Sequence, residues 1–363
     1  MRYFNDIKNS QDMFFKAPSS YGLHSSKEEL SYALGACLYM PGTRQSLLKD
    51  ILSSKNMGAH TITICIEDSV SSNQVVQAES NIINLFKSIG ILLEDNSSFA
   101  QSLPLIFIRV RNINQFQRLL NESSLMGLCG FIFPKFSAEF GEKYLSILKE
   151  YNVSNKRLLY GMPILETPRI IHKETRIEEL IKIKHILDKY KEYVLNIRIG
   201  GTDFSGLYGL RRSSDFTIYD IVVVSDCISD IINIFKRDGY VISGVVYEHY
   251  SKGLEFNNNI LIKETLLDSS NGLTGKTVIH PTQVNVVNSL MVVSKEDYTD
   301  ACSILNSPLN GVIKSNYSNK MNEIKPHEKW AREILLRATI MGVFEDGKSH
   351  TELLQWISSL QYR

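Results

Sequence analysis

Short apolar runs recur along this chain at regular intervals, each closed by glycine, proline or a charged residue. In TITICIEDSV, Ile62, Ile64 and Ile66 alternate with Thr61, Thr63 and Cys65 before two acids follow; a two-residue period marks a strand. Similar runs lie at 34–40, 61–67, 104–110, 130–135, 159–166, 195–203, 240–248 and 276–281. Their β-branched and aromatic content, with turn residues at their ends, reads as strand. Between them apolar positions fall at helical spacing, as in TRQSLLKDILSSKNMG, SAEFGEKYLSILKEY and RIEELIKIKHILDKYKEY. Regular alternation predicts an α/β protein with a parallel sheet covered by helices. Eight such units over residues 34–281 match the size of a TIM (β/α)8 barrel, about 250 residues. A doubly wound open sheet is the alternative. It wants a glycine-rich turn after its first strand, and MPGTRQS lacks the GxGxxG spacing.

The barrel, taken as residues 31–300, leaves an N-terminal arm at 1–30 and a C-terminal helical extension at 301–363. Helical stretches at KEDYTDACSILN, HEKWAREILLRATIMGVF and TELLQWISSLQ flank SPLNGVIKSNYSNKMNEIKP, which reads as an irregular crossing. Trp330, Ile334, Leu335, Ile340, Met341, Phe344, Leu353, Leu354 and Trp356 make the extension apolar. A monomer rarely exposes so large a face. The extension is therefore expected to pack on the barrel or on a neighbouring subunit of a homo-oligomer, beside the barrel mouth.

Composition narrows the picture by exclusion. The chain is 43% hydrophobic and 22% charged, with a net charge of +1, so bulk electrostatics point to neither nucleic acid nor membrane. Its five cysteines form no CxxC pair, which fits free thiols in a cytoplasm better than a disulfide framework or zinc site. The first twenty residues have no long apolar core, and no signal peptide is expected.

The chemistry gathers at the strand ends, where barrels of this kind place their active sites. Glu67 and Asp68 follow the second strand, Arg109 the third, Lys135 the fourth, Glu166 the fifth, Asp203 the sixth and Glu248 the seventh. Neighbouring strands lie about 5 Å apart, so Glu166 and Asp203 can bring carboxylates to one ion. Two carboxylates completed by water or substrate oxygens are typical of Mg²⁺. Structural readings stand beside these. Asp68-Ser69 has the composition of a helix cap, Glu248 of an ion-pair partner, His280 of a turn residue before proline, and Arg211-Arg212 of a solvated loop.

The segments LYMPGTRQSLLKDIL, ITICIEDSV, IRVRN, FIFPK, PILET, GGTDF and GKTVIHPTQV occur in one order over roughly residues 34–300. Together they resemble the citrate lyase β-subunit-like carbon–carbon bond lyases and the related 2-keto-diacid aldolases. TDFSGLYGLRRSSDFTIYD and NKMNEIKPHEKWAREILLRA are similar to the branch encoded with tellurium-resistance and stress-response genes. The resemblance implies an oligomeric TIM barrel, often trimeric, whose metal is Mg²⁺ held by Glu166 and Asp203. It implies Arg109 as the arginine gripping the substrate's carboxylate or carbonyl oxygens, Glu67 and Asp68 as acids ordering metal-bound water, and Arg44 as a basic residue near the site. Two departures stand out. Cys65 replaces the first acid of the family's Asp-Leu-Glu-Asp strand, and Arg211 and Arg212 add two cations.

The implied chemistry is cleavage or formation of a carbon–carbon bond through a metal-stabilised enolate, on a small carboxylate substrate or a CoA thioester. Lys135 is expected to be a charge partner rather than a Schiff-base nucleophile, which would need a depressed pKa. Two rival readings remain. One is a Mg²⁺ barrel enzyme acting on a phosphorylated or nucleotide-like metabolite bound by Arg211 and Arg212. The other is a non-catalytic assembly subunit.

Overall fold

The computed structural model describes residues 1–5, 12–95, 99–122, 125–250, 259–308 and 311–361. Strands are numbered in chain order, starting with β1 at Phe14–Lys16. The strands of the barrel are β2 (Ala36–Pro41), β3 (Thr61–Cys65), β4 (Leu105–Arg109), β5 (Leu128–Phe133), β6 (Tyr160–Leu165), β7 (Arg198–Ile199) and β8 (Lys276–Val278). They form one sheet in the order β7-β6-β5-β4-β3-β2-β8, paired in parallel throughout.

The expected strand at 240–248 forms no ladder. It contributes single parallel bridges, Ile197 to Ile242 on one side and Gly244 to Lys276 on the other. Four backbone hydrogen bonds of 2.8–2.9 Å carry them and join the two edges of the sheet: Ile197 N–H to Val241 C=O, Ser243 N–H to Ile197 C=O, Gly244 N–H to Gly275 C=O, and Thr274 N–H to Ile242 C=O. A buried ionic network lies at this seam. Lys276 Nζ lies 2.8 Å from Glu264 Oε1 and 2.7 Å from Asp268 Oδ2, all fully buried. Tyr219 donates to Asp268 at 2.7 Å, and Arg212 pairs with Glu264. A Cβ on residue 244 would come within 2.2 Å of Asp268 Oδ2, so only glycine lets the carboxylate in.

Strand parity divides the barrel. Ile62, Ile64, Ile66, Ile106, Ile108, Phe131 and Phe133 pack outward against the helices, while Leu105, Phe107, Ile132, Tyr160, Met162 and Ile164 fill the interior. Interior side chains at the strand starts share a cluster with Tyr3, Tyr21, Met291, Ile340 and Met341. The extension therefore closes the N-terminal end of the barrel, which corrects the expected place beside the mouth. Ile334, Ile340, Met341, Phe344, Leu353 and Leu354 are buried within the chain, and β1 pairs antiparallel with β11 (Val343–Phe344), tying arm to extension. The expected irregular crossing holds a short antiparallel hairpin, β9 (Val312–Lys314) with β10 (Met321–Glu323). No described helix is long and apolar enough to cross a membrane.

Candidate active site at the barrel mouth

The parity that sends Ile62, Ile64 and Ile66 outward turns Thr63, Cys65 and then Glu67 toward the barrel axis. Arg109 follows Phe107 inward on β4, and Glu166 follows Ile164 beyond β6. The acids that end an apolar strand thus meet a base across the mouth. One guanidinium nitrogen, Arg109 Nη2, lies 2.6 Å from Glu67 Oε2, 2.9 Å from Asp68 Oδ2 and 3.5 Å from Glu166 Oε1. Asp68 is spent on Arg109 rather than on a helix cap. Arg111 braces the turn from behind, donating to the carbonyls of Glu67 (3.1 Å) and Val70 (2.5 Å).

Lys135 reaches the cluster by breaking parity. Its φ of +48° lies in the left-handed region, a strain of about 1–2 kcal/mol for a residue with a side chain. In that conformation its N–H donates to Glu166 Oε1 at 2.8 Å and its Nζ to Glu67 Oε1 at 2.8 Å. Asp203 does not lie on a strand. β7 ends at Ile199, and Asp203 sits in the first turn of the helix Gly201–Leu207. Gly200 makes room beside it: a Cβ there would come within 2.3 Å of Glu166 Oε2.

Burial, with repulsion from Asp203 and Glu67, pushes the Glu166 carboxyl up to about 8 against the pull of Arg109 and the Lys135 N–H. Burial also raises Glu67. Asp68 is held below its ordinary value: burial opposes this, but Glu67, Arg109 and Lys135 outweigh it. Lys135 is raised despite burial, by Glu67, Asp68 and Asp203, so it is protonated, which argues against the Schiff-base reading.

A divalent cation fits this donor set. Glu166 Oε1 is used by Lys135 and Arg109, but Glu166 Oε2 and both Asp203 oxygens accept no hydrogen bond among the described residues. Among the described residues no group of three or more His, Cys, Asp or Glu is placed to hold a metal. An ion at Glu166 and Asp203 would need water or substrate oxygens to complete its shell, which suits Mg²⁺.

The other expected site residues lie apart. Arg44 is exposed and pairs with Asp50 at 2.8 Å. Arg211 faces solvent. Arg212 requires a correction: it is buried, pairs with Glu264 and donates to the Val246 carbonyl at 2.7 Å, so the expected pair of free cations is reduced to one. Glu248 accepts from Thr202 at 3.0 Å. His280 caps the helix Pro281–Met291, accepting from the Thr282 N–H. Three residues with no place in the sequence reading line the interior below the cluster: Tyr39, Arg198 and Thr277. Their signal was strand parity alone.

Comparison with known proteins bears on the family and the fold. A family model described as C-C bond lyase of the TIM-barrel fold matches residues 28–343. The human mitochondrial citramalyl-CoA lyase is 24% identical over 276 residues, 76% of each chain. A citrate lyase from Burkholderia xenovorans aligns with a TM-score of 0.62 at 15% identity, covering 86% of this chain and 94% of that one. The CitE protein of Mycobacterium tuberculosis, solved with magnesium, acetoacetate and coenzyme A, aligns with a TM-score of 0.57 at 16% identity, covering 84% and 97%.

Proposed function

Because the chain belongs to the carbon–carbon bond lyases of the TIM-barrel fold, we propose that it breaks or forms a carbon–carbon bond β to a carbonyl, through an enolate. The substrate is a carboxylate-bearing hydroxy acid, keto acid or CoA thioester. The observation that carries this reading is the convergence of Glu67, Asp68 and Glu166 on Arg109 at the mouth. Relatives supply its context: one acts on citramalyl-CoA, and another was solved with magnesium and coenzyme A.

Glu166 and Asp203 would hold Mg²⁺, which when bound supplies Lewis-acid stabilisation of negative charge on a carbonyl oxygen. Arg109 grips the substrate's carboxylate or carbonyl oxygens with a planar fork. Of its three acidic partners Asp68 is the exposed one, and a substrate anion would displace it. Glu67, its pKa raised by burial, suits a base that takes the hydroxyl proton through an ordered water. Lys135 stays charged and holds Glu67 in place. Cys65 lies below Glu67, where the family carries an acid, and is buried. Assembly as a homo-oligomer is part of the same reading: Leu207, Tyr208, Leu210, Phe216 and Val222 are all exposed on the segment that follows Asp203. A monomeric mass by light scattering at micromolar concentration would remove that part.

The test is condensation. With Mg²⁺, acetyl-CoA and pyruvate, the protein should yield an adduct whose mass is their sum, and Arg109→Lys should lower kcat/KM by about 100-fold through loss of the fork. An unimpaired Arg109→Lys enzyme would show that Arg109 is not the clamp.

A further inference from the structure

We propose that Arg198, Thr277 and Tyr39 form a second anion subsite inside the barrel, below the carboxylate cluster, which takes a second anionic group of the substrate. The proposal rests on reading the mouth as a lyase site, and it adds a preference for a substrate that carries a second anionic group.

Arg198 lies on β7 opposite Ile164 of β6. Glu166 is two residues beyond Ile164 on the same face, so the Arg198 Cα sits one side-chain layer deeper, roughly 7 Å along the strand. Arg198 is only 2% exposed and forms no ion pair among the described residues. Its Nη2 donates to Thr277 Oγ1 at 2.7 Å; among the described residues Nη1 has only the Met162 sulfur at 4.0 Å, and Nε is buried with no acceptor. Among the described residues, three other cations whose side chains are as deeply covered have acids against them: Lys276 has Glu264 and Asp268, Arg212 has Glu264, and Arg176 has Asp226 and Asp230. A buried guanidinium without a counter-ion is costly to keep, and a substrate anion would supply the missing charge.

The neighbours are arranged for that. Tyr39 follows Cys37 on the interior face of β2 and lies within the electrostatic reach of both Arg198 and Arg109. Its hydroxyl makes no hydrogen bond among the described residues. Burial raises its pKa despite both arginines, so the phenol keeps its proton and can donate. Thr277 accepts from Arg198, which leaves its own O–H free to donate. Tyr39 and Thr277 are each less completely covered than Arg198. With one anionic group at Arg109 and another at Arg198, the reacting carbon would lie between them, beside Glu166. A carboxylate or a phosphoryl group satisfies the same donors.

Calorimetric titration of the full chain in Mg²⁺ with pyruvate, oxaloacetate and phosphoenolpyruvate decides the matter. At least one dianion should bind about tenfold or more tighter than pyruvate, as a charge-assisted contact would give, and which one identifies the second group. Arg198→Gln should remove that difference and leave pyruvate affinity within about twofold; Thr277→Val should reduce it. Without ligand, Arg198→Gln should melt no lower than the parent, since it relieves an unpaired buried charge. Equal binding of all three ligands by the parent overturns the subsite. So does an Arg198→Gln protein that weakens pyruvate as much as the dianions, or that melts several degrees lower. If none of the three binds in a Mg²⁺-dependent way, the lyase reading itself falls and takes the subsite with it.

Discussion

Glu166→Gln and Asp203→Asn should each weaken Mg²⁺ binding at the barrel mouth by more than about 100-fold, beyond the 10–100-fold typical of losing a residue that only supports a metal ligand. Each replacement removes one of two anionic ligands and keeps the shape of the side chain. The fold should survive both. Glu166 is buried with its pKa raised to about 8, so its charged form is held at a cost, and a neutral amide relieves that cost. Asp203 sits in the first helical turn after β7, where it forms no ion pair among the described residues. Calorimetric titration with Mg²⁺, beside a thermal melt, separates the effects. Unchanged Mg²⁺ affinity in both variants would remove these two residues as ligands.

The largest loss of stability is expected from Lys276→Met. Lys276 is the cation that Glu264 and Asp268 share at the seam, 2.8 and 2.7 Å away, with all three side chains fully buried. Removing it leaves, among the described residues, Asp268 with the Tyr219 hydroxyl and Glu264 with Arg212 and the Ile218 N–H. Breaking one partner of a buried ionic network costs about 3–5 kcal/mol. The loss falls where the backbone can least absorb it, since the segment 241–244 is held by single bridges. Chemical denaturation measures it. A change below about 1 kcal/mol would mean that the network does not hold the seam.

The barrel was legible in the sequence because a parallel sheet covered by helices needs apolar runs at regular spacing, and seven of the eight expected runs became paired strands. The eighth failed for a reason no periodicity carries. There Gly244 admits the Asp268 carboxylate that Lys276 neutralises, a contact between separate segments of the chain. The charged cluster was legible too, because strand parity and position fix which side chains reach the mouth. Lys135 was found by its position, but the left-handed turn that brings it to Glu67 and Glu166 leaves no mark in FPK. Arg212 shows the limit of reading a charge as exposed: its acid, Glu264, lies 52 residues away. Arg198 stands inside the apolar run LNIRIGG, where a lone arginine on the interior face of a strand is itself a sequence signal. The extension's apolar face was seen, but its direction was not, because the pairing of β1 with β11 joins the two ends of the chain.

The central claim is that this mouth stabilises an enolate. The measurement that tests it most directly is proton NMR of pyruvate and acetyl-CoA methyl groups in D₂O, with protein and Mg²⁺. Exchange of methyl protons for deuterium well above the protein-free Mg²⁺ control, lost in Glu166→Gln and in Arg109→Lys, is the result expected. Exchange no faster than that control for both compounds, or undiminished in both variants, would contradict it.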